Sequence, residues 1–291
     1  MPLLKSSTEV LENEFLRIEV QANGAELCSI LDKRTNSQLL WQASSEFWGR
    51  HAPVLFPIVG KLKNNQYEYE GKVYSMNQHG FARDKVFQLE SRTNARLVYR
   101  LDSDNESEAV YPFTFSLFVC YELIQETIHQ TYRVENRGDG EMLFSIGAHP
   151  AFALDQAFSA YSLSFKEKEP NLKRTTLQDG LLHQHEALTL KNDLILDLNY
   201  SLFAEDALVF ESLRSDEITI NHSNQKVLTI KFAGFPFFGI WTKSGAPFLC
   251  LEPWHGVADE VTISGKLSEK KGMIALQENE SKEASFSMIF H

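Results

Sequence analysis

Alternation of apolar and polar residues with a period of two constrains this chain most, because successive side chains of a β-strand point to opposite faces of a sheet. The segments that we predict to be strands are FLRIEVQ (15–21), RLVYRLD (96–102), FTFSLFVCYEL (113–123), ETIHQTYRVEN (126–136), DALVFES (206–212), KVLTIKF (226–232) and ASFSMIF (284–290). Turn-forming runs such as ENRGDGE and TKSGAP separate the strands, and YEYEGKVYSM predicts a hairpin around Gly71. Amphipathic helical patterns are scarce, so the sequence predicts an all-β protein.

The organisation of the chain predicts one domain over 1–291, folded as a large antiparallel β-sandwich. No linker, internal repeat or low-complexity segment interrupts the strand pattern. The 21 phenylalanines among 291 residues are typical of sheets packed face to face. No phosphate-binding glycine loop, GxGxxG motif or cluster with metal-ligand spacing is present, so we expect no cofactor and no metal.

The net charge of −11 argues against a nucleic-acid partner and against binding to anionic lipid, since both need an excess of Lys and Arg. Cys28, Cys120 and Cys250 are far apart in apolar surroundings, so we expect buried free thiols in a reducing compartment. The N-terminal stretch MPLLKSSTEVLENEFLRIEV carries charges throughout and predicts neither a signal peptide nor a membrane anchor. We therefore expect a cytoplasmic monomer or homodimer.

Four segments break the strand pattern and concentrate polar side chains. They are WGRHAPVLFPIVGKLKN (48–64), NQHGFARD (77–84), GAHPAF (147–152) and FLCLEPWHGVADE (248–260). The first holds two prolines and two glycines, which predicts a rigid, irregular loop rather than a central strand. The two loops before GAHPAF also carry four basic residues, Arg50, Lys61, Lys63 and Arg83, which predict a local positive field if the loops meet.

Glu252 and His149 are the candidates for acid–base chemistry. Glu252 directly follows FLCL, where a buried strand would place an apolar side chain, and we expect that strand to stop at Pro253. A carboxylate in such a place needs hydrogen-bond donors or a pocket, and a semi-apolar pocket raises its proton affinity toward that of a general base. His149 is expected on a short turn, Gly147–Pro150, that would fix the imidazole. The alternatives are a structural ion pair for Glu252 and a hydrogen-bonded strand-end histidine for His149.

The ordered set RHAPVLFPIVG, QHGFARD, GAHPAF and LEPWHGVAD resembles the aldose 1-epimerase (galactose mutarotase-like) superfamily. The likeness is greatest to the bacterial galactose-mutarotase-related branch found with lactose and tagatose genes, and HGFAR is also similar to hexose-6-phosphate mutarotases. It runs from Asn23-Gly24-Ala25 to the C-terminal strand. The resemblance implies a β-supersandwich that binds a monosaccharide or sugar phosphate and an isomerase that needs no cofactor.

The resemblance also implies a role for each matched residue. His149 corresponds to the general acid and Glu252 to the general base. The implied substrate-binding residues are Arg50, Lys61, Gln78, His79, Arg83, Asp206 and Trp254. The chain departs from the galactose enzymes at Gly60-Lys61, where they carry Asn-Arg, and at Trp254, where they carry glutamine, so galactose itself is not implied. Trp48 and Trp254 are candidates to stack on the sugar or to pack in the core.

Two other functions compete with a mutarotase. A carbohydrate-binding or sugar-sensing protein could use the same fold, because a fold alone does not give a function. The pairing of His149 with Glu252 favours the enzyme, since a binding protein needs no acid–base pair. A hydrolase or lyase is the weakest alternative, because glycoside hydrolysis ordinarily needs two carboxylates and only Glu252 lies in a pocket motif.

Overall fold

The computed structural model describes residues 7–291, so the first six residues of the predicted domain and of the charged N-terminal stretch lie outside the described residues. In chain order the strands are β1 (Thr8–Glu12), β2 (Leu16–Gln21), β3 (Glu26–Asp32), β4 (Ser37–Gln38), β5 (Val54–Leu55), β6 (Gln66–Tyr69), β7 (Lys72–Ser75), β8 (Gln88–Arg92), β9 (Arg96–Asp102), β10 (Phe115–Ile124), β11 (Thr127–Asn136), β12 (Met142–Phe144), β13 (Ile146–Ala148), β14 (Ala151–Ala153), β15 (Tyr161–Phe165), β16 (Lys173–Gln178), β17 (Leu181–Ala187), β18 (Ile195–Asp197), β19 (Leu208–Glu211), β20 (Glu217–His222), β21 (Gln225–Lys231), β22 (Phe237–Trp241), β23 (Phe248–His255), β24 (Ile274–Leu276) and β25 (Ser281–Phe290). The helical segments of the same residues are α1 (Asn105–Val110) and the 3₁₀ turns Lys63–Asn65, Ala82–Asp84, Phe158–Ala160, Tyr200–Phe203 and Leu267–Glu269. None of these helices is long and apolar enough to cross a membrane.

Two large antiparallel sheets form the body of the protein. Nine strands follow the order β18-β15-β20-β21-β25-β11-β10-β9-β8. A second sheet follows the order β17-β16-β19-β22-β23-β13-β5, with β14 paired to β23 as its eighth strand. A four-stranded sheet, β1 to β4, and the two small pairs β12-β24 and β6-β7 complete the structure. The predicted all-β antiparallel sandwich is confirmed, as are the seven predicted strands and the β6-β7 hairpin at Gly71.

The main hydrophobic core lies between the two large sheets. Alternation along β11 is complete, with every second residue of Thr127–Asn136 buried. Across the layers, the Phe232 and Phe238 rings are 4.2 Å apart and the Phe165 and Phe210 rings are 6.2 Å apart. The core cluster includes residues of β1 and of β25, the first and last strands of the described residues.

Strand β23 is buried along nearly its whole length because both of its faces are covered. Leu249 and Leu251 belong to the main core. The alternate residues Cys250 and Trp254 belong to two smaller clusters on the opposite face of the sheet. Glu252 lies between them and, by the period of two, shares their face. The strand therefore delivers this carboxylate away from the main core while keeping it out of bulk water.

Two local expectations about the site segments are wrong. The chain does not turn at His149: β13 and β14 both pair with β23, and Gly147 opposite Trp254 and Ala151 opposite Cys250 keep one register. Residues 149–150 are thus a break in an otherwise continuous strand. Strand β23 also does not stop at Pro253 but continues to His255.

The break explains why a proline is tolerated in β23. The Leu251 N–H points to the Pro150 carbonyl, so the nitrogen of Pro253, two residues on, faces the same side. The β13-β14 break lies on that side, so the sheet loses no regular backbone hydrogen bond although proline has no N–H to donate.

Candidate active site

A cavity of about 340 Å³ lies on the face of the eight-stranded sheet that is turned away from the main core. Its volume is in the range of small-molecule sites. Seven of the nine predicted site residues line it: Gln78, His79, Arg83, His149, Asp206, Glu252 and Trp254. The four segments that break the strand pattern thus meet at one cavity.

His149 and Glu252 face each other on the cavity floor. Gly147 pairs with Trp254 and Ala151 with Cys250, so the register places residue 149 opposite residue 252. The two side chains approach to 3.3 Å between His149 Nε2 and Glu252 Oε2. His149 is 8% exposed and Glu252 is 1% exposed. His149 Nδ1 and Glu252 Oε2 are buried and have no hydrogen-bond partner.

Burial shifts both groups toward their uncharged forms. Burial, together with the Asp206 carboxylate, raises the pKa of Glu252 well above its usual range. Burial also lowers the pKa of His149 to about 3. The general-acid role that the resemblance implies for His149 needs the protonated imidazole, which burial disfavours.

Trp48 stacks on His149 and is one of the cavity-lining residues. The two ring centroids are 4.6 Å apart with an angle of 25° between the planes. Trp241 meets the same imidazole edge-on at 5.8 Å. The indole face of Trp48 thus covers the imidazole, and an aromatic face favours a cation placed over it.

His79 offers a neutral hydrogen-bond donor beside this pair. The Gly60 N–H donates to His79 Nδ1 over 3.1 Å, which leaves the ring proton on Nε2. Nε2 lies 3.1 Å from the side-chain amide of Gln78. Burial, followed by the charge of His149, lowers the pKa of His79 well below its ordinary value. Both side chains line the cavity, so the His79 Nε2–H can donate to a sugar hydroxyl and the Gln78 amide can hydrogen-bond one.

Trp254 forms part of the cavity floor because two glycines leave space for its ring. A Cβ at Gly239 would lie 2.3 Å from the indole, and one at Gly147 would lie 2.6 Å from it. The indole Nε1 donates to the Ala148 carbonyl over 3.2 Å, which fixes the ring. Trp254 is only 6% exposed, so it is a packed wall of the cavity.

Of the four predicted basic residues, the structure places Arg83 among the residues that line the cavity. Arg83 lines it, with Nη2 donating to the Gln78 carbonyl over 2.7 Å and with Nε buried and unpartnered. Arg50 is outside the lining residues and binds Asp84 over 2.8 Å. Of the two lysines, Lys61 donates to the Asp179 carbonyl over 2.8 Å and Lys63 to the Ile263 carbonyl over 3.2 Å. Within residues 7–291, Arg83 is the one Lys or Arg among the residues that line the cavity.

Comparison with known proteins identifies the fold and the family. The aldose 1-epimerase family profile matches residues 8–288. The chain belongs to the aldose 1-epimerase family. This family is one of sugar epimerases and mutarotases, so membership supports a general epimerase or mutarotase role, and the resemblance expected from the four segments is confirmed.

Individual relatives of this aldose 1-epimerase family member agree with the assignment. The chromosomal LacX protein of Lactococcus lactis is 33% identical over 274 residues, which cover 89% of this chain and 91% of that protein. A crystal structure of a galactose mutarotase related enzyme from Lactobacillus acidophilus superposes with a TM-score of 0.93 at 33% identity, covering 98% and 97% of the two chains. A galactose mutarotase-like protein from Lactobacillus casei gives a TM-score of 0.91 at 27% identity, covering 98% and 100%.

Sequence reasoning missed the other wall of the cavity in this family member. The β16-β17 hairpin contributes Leu177, Gly180 and Leu182, and β19 contributes Val209. Leu177, Leu182 and Val209 are ordinary strand positions and Gly180 lies in the hairpin turn, and the pairing of β16 with β19 brings them over the floor. Trp241 was also missed, although a tryptophan at the polar end of an apolar strand is a signal that could have drawn attention to it.

A buried ion pair holds the loops around the cavity together. Lys270 Nζ lies 3.1 Å from Asp259 Oδ1, and both side chains are almost fully buried. Asp259 also accepts from the Lys63 N–H through its side chain and from the Leu182 N–H through its carbonyl. One residue therefore links the 48–64 segment, the β16-β17 hairpin and the segment after Glu252.

The donor atoms of His149, Cys250 and Glu252 lie within 4.8 Å of one another, and of the three residues His149 and Glu252 line the cavity. The sequence does not predict that these three residues are close together, because their proximity depends on the pairing of β14 with β23.

Proposed function

We propose that the protein is an aldose 1-epimerase that interconverts the α and β anomers of a free hexose by acid–base ring opening. The observation that carries this proposal is the pair of His149 Nε2 and Glu252 Oε2, 3.3 Å apart on the floor of a sugar-sized cavity. A protein that only binds sugar has no need of an acid and a base in contact.

Mutarotation needs one proton removed from the anomeric hydroxyl and one delivered to the ring oxygen. Glu252 takes the anomeric proton, and protonated His149 gives its proton to the ring oxygen. The C1–O5 bond breaks and C1 becomes an aldehyde. Rotation about C1–C2 and ring closure on the other face reverse both transfers, so the enzyme ends in its starting state.

The two proton arrangements of the pair correspond to two stages of this cycle. Carboxylate with imidazolium faces the cyclic sugar, and carboxylic acid with neutral imidazole faces the open-chain aldehyde. The pair carries one proton in both, so no proton has to enter from solvent during turnover. The Trp48 face, 4.6 Å from the imidazole, stabilises the imidazolium form.

The remaining wall residues suit a neutral sugar. His79 and Gln78 provide hydrogen-bonding groups, Arg83 provides an unpartnered Nε, and Asp206 provides a carboxylate at the wall. Trp254 and Val209 supply apolar surface for the C–H faces of a pyranose. Arg50 and Lys61 are engaged elsewhere, so a second cation for a phosphate group is missing from the wall residues.

The test is anomer exchange followed by NMR or polarimetry with a panel of free and 6-phosphorylated aldoses. We expect at least one free aldose to exchange faster with enzyme than in buffer, and the rate to survive chelator treatment. Saturable sugar binding without faster exchange would instead identify a carbohydrate-binding or sugar-sensing protein. Activity that chelation abolishes and a divalent metal restores would contradict the acid–base mechanism.

A further inference from the structure

Cys250 places a fully buried thiol next to the His149–Glu252 pair, behind the residues that line the cavity. Cys250 and Glu252 are two residues apart on β23 and so share one face, and β14 pairs Ala151 with Cys250. Donor atoms of His149, Cys250 and Glu252 all lie within 4.8 Å of one another. The proposed mechanism gives the thiol no task.

One ligand atom of this set lacks a hydrogen-bond partner. Glu252 is 1% exposed, and its Oε2, which lies 3.3 Å from His149 Nε2, has none. Buried polar atoms are normally satisfied, so atoms left open at a cavity floor point to a ligand that completes them. A carboxylate oxygen, an imidazole nitrogen and a thiolate sulfur are together typical of a zinc site.

The spacing of the donors also fits a tetrahedral ion. Zinc binds histidine nitrogen and carboxylate oxygen at roughly 2.0–2.2 Å and cysteine sulfur at roughly 2.3 Å, and tetrahedral angles then place two ligands roughly 3.3–3.7 Å apart. The His149 and Glu252 atoms are already 3.3 Å apart. The Cys250 Sγ lies within 4.8 Å of the other two ligand atoms, so a small rotation of its side chain would bring it to a third corner of the tetrahedron. The fourth corner would face the cavity.

We propose that His149, Cys250 and Glu252 form an inhibitory site for a thiophilic divalent cation such as Zn²⁺ or Cd²⁺. The thiolate and the carboxylate balance the two charges of the cation, and the cavity side supplies a water molecule as the fourth ligand. The ion uses the two groups that act on the sugar, so metal and sugar exclude each other. The inhibition rests on the proposed function, whereas binding of the ion does not.

Calorimetry with Zn²⁺ and ultraviolet titration with Cd²⁺ test the binding on the whole chain in a non-chelating buffer. We expect one ion per chain and a cadmium–thiolate absorption band. Cys250→Ser should weaken binding at least about tenfold and remove the band, since it replaces a thiolate ligand by a hydroxyl. Cys250→Ala provides a second variant, and Cys120→Ser, which removes a different buried thiol, is the matched control that keeps both signals.

The kinetic arm measures anomer exchange with increasing Zn²⁺. Zinc should raise the apparent KM of the wild type, and Cys250→Ser should keep metal-free turnover while needing at least about tenfold more zinc. Absence of a bound ion, or binding that is unchanged in both Cys250 variants, would overturn the site. If no aldose is turned over, the proposed function fails but the calorimetric result still decides the metal site.

Discussion

His149 lies directly opposite Glu252 across the β13-β14 break and β23, and the register that places them there also brings His149 Nε2 to 3.3 Å from Glu252 Oε2. Because side chains alternate along a strand, a slip of one residue would turn one member of the pair toward the core. The pairing of β13 and β14 with β23, rather than a flexible loop, therefore fixes the relative position of His149 and Glu252.

Removing either member of this pair should abolish most of the exchange activity. Glu252→Gln keeps the shape but cannot take the anomeric proton, and His149→Asn cannot protonate the ring oxygen. We expect each change to lower kcat by at least about 10²-fold, with a much smaller effect on sugar affinity. Anomer exchange and calorimetric sugar binding measure the two effects separately.

The double variant sharpens this test. The two groups act in one proton relay, so the double variant should be little slower than the slower single variant. Near wild-type turnover in Glu252→Gln would rule out this residue as the base.

Trp48 should affect catalysis more than sugar binding. Its ring stacks on His149, and a cation–π contact worth about 0.5–2 kcal/mol corresponds to roughly two- to thirtyfold in rate. We expect Trp48→Leu to lower kcat in this range, and Trp48→Phe to recover part of the loss. Trp241→Phe, at the edge of the same imidazole, is the matched control and should have a smaller effect. A change in KM alone would instead make Trp48 a platform for the sugar.

Features that depend on neighbouring residues in the chain could be predicted from the sequence, and features that depend on contacts between distant segments could not. Alternation is local, so strands such as β11 and β25 are evident from the chain. The break at His149 looks like a turn because Gly and Pro flank it, and only its pairing with β23 shows a continuing strand.

The candidate site residues also differ in how far the sequence predicts their positions. His149, Glu252 and His79 lie in segments that break the strand pattern, so they could be found. Arg50 and Lys61 have the expected chemistry but bind Asp84 and the Asp179 carbonyl, because ion pairing and loop contacts across distant parts of the chain decide where their side chains go.

Asp259 should be among the most costly residues to replace for stability. Asp259→Ala leaves the Lys270 ammonium buried without its partner, and breaking a buried pair in this way costs about 3–5 kcal/mol. Urea unfolding monitored by circular dichroism measures the loss. Glu260→Ala, at the exposed neighbouring position, should change the free energy of unfolding by less than about 0.5 kcal/mol. Equal losses for both variants would contradict the role of the buried pair.

Glu26 should make the protein sensitive to acid. Burial raises the pKa of this carboxyl, but hydrogen bonds from His51 and Ala52 outweigh burial and hold the pKa below its ordinary value of 4.5. A lowered folded-state pKa gives stability that is present above the unfolded-state pKa and is lost as pH falls through the folded-state value. In Glu26→Gln the free energy of unfolding should therefore fall less steeply with acid below about pH 4.5 than in the wild type. Parallel pH profiles for the two proteins would show that Glu26 is not the responsible group.

The charges around the cavity indicate whether the substrate is a free or a phosphorylated sugar. Arg83 is the basic residue at the cavity wall, while Arg50 is bound to Asp84 and Lys61 to the Asp179 carbonyl. A phosphate group is best held by several cations or by a free guanidinium, and here it would also approach the carboxylates of Asp206 and Glu252. We therefore expect kcat/KM to be higher for a free hexose than for its 6-phosphate, with little dependence on salt.

The two arginines provide a matched pair of variants for this last prediction. Arg83→Ala should lower kcat/KM for the free hexose, because it removes the buried guanidinium that holds the Gln78 carbonyl and faces the sugar. Arg50→Ala removes the same charge outside the cavity wall and should leave that value nearly unchanged. If the 6-phosphate is the better substrate at low ionic strength and Arg50→Ala erases the preference, Arg50 must leave Asp84 to bind phosphate, and the free-hexose assignment is wrong.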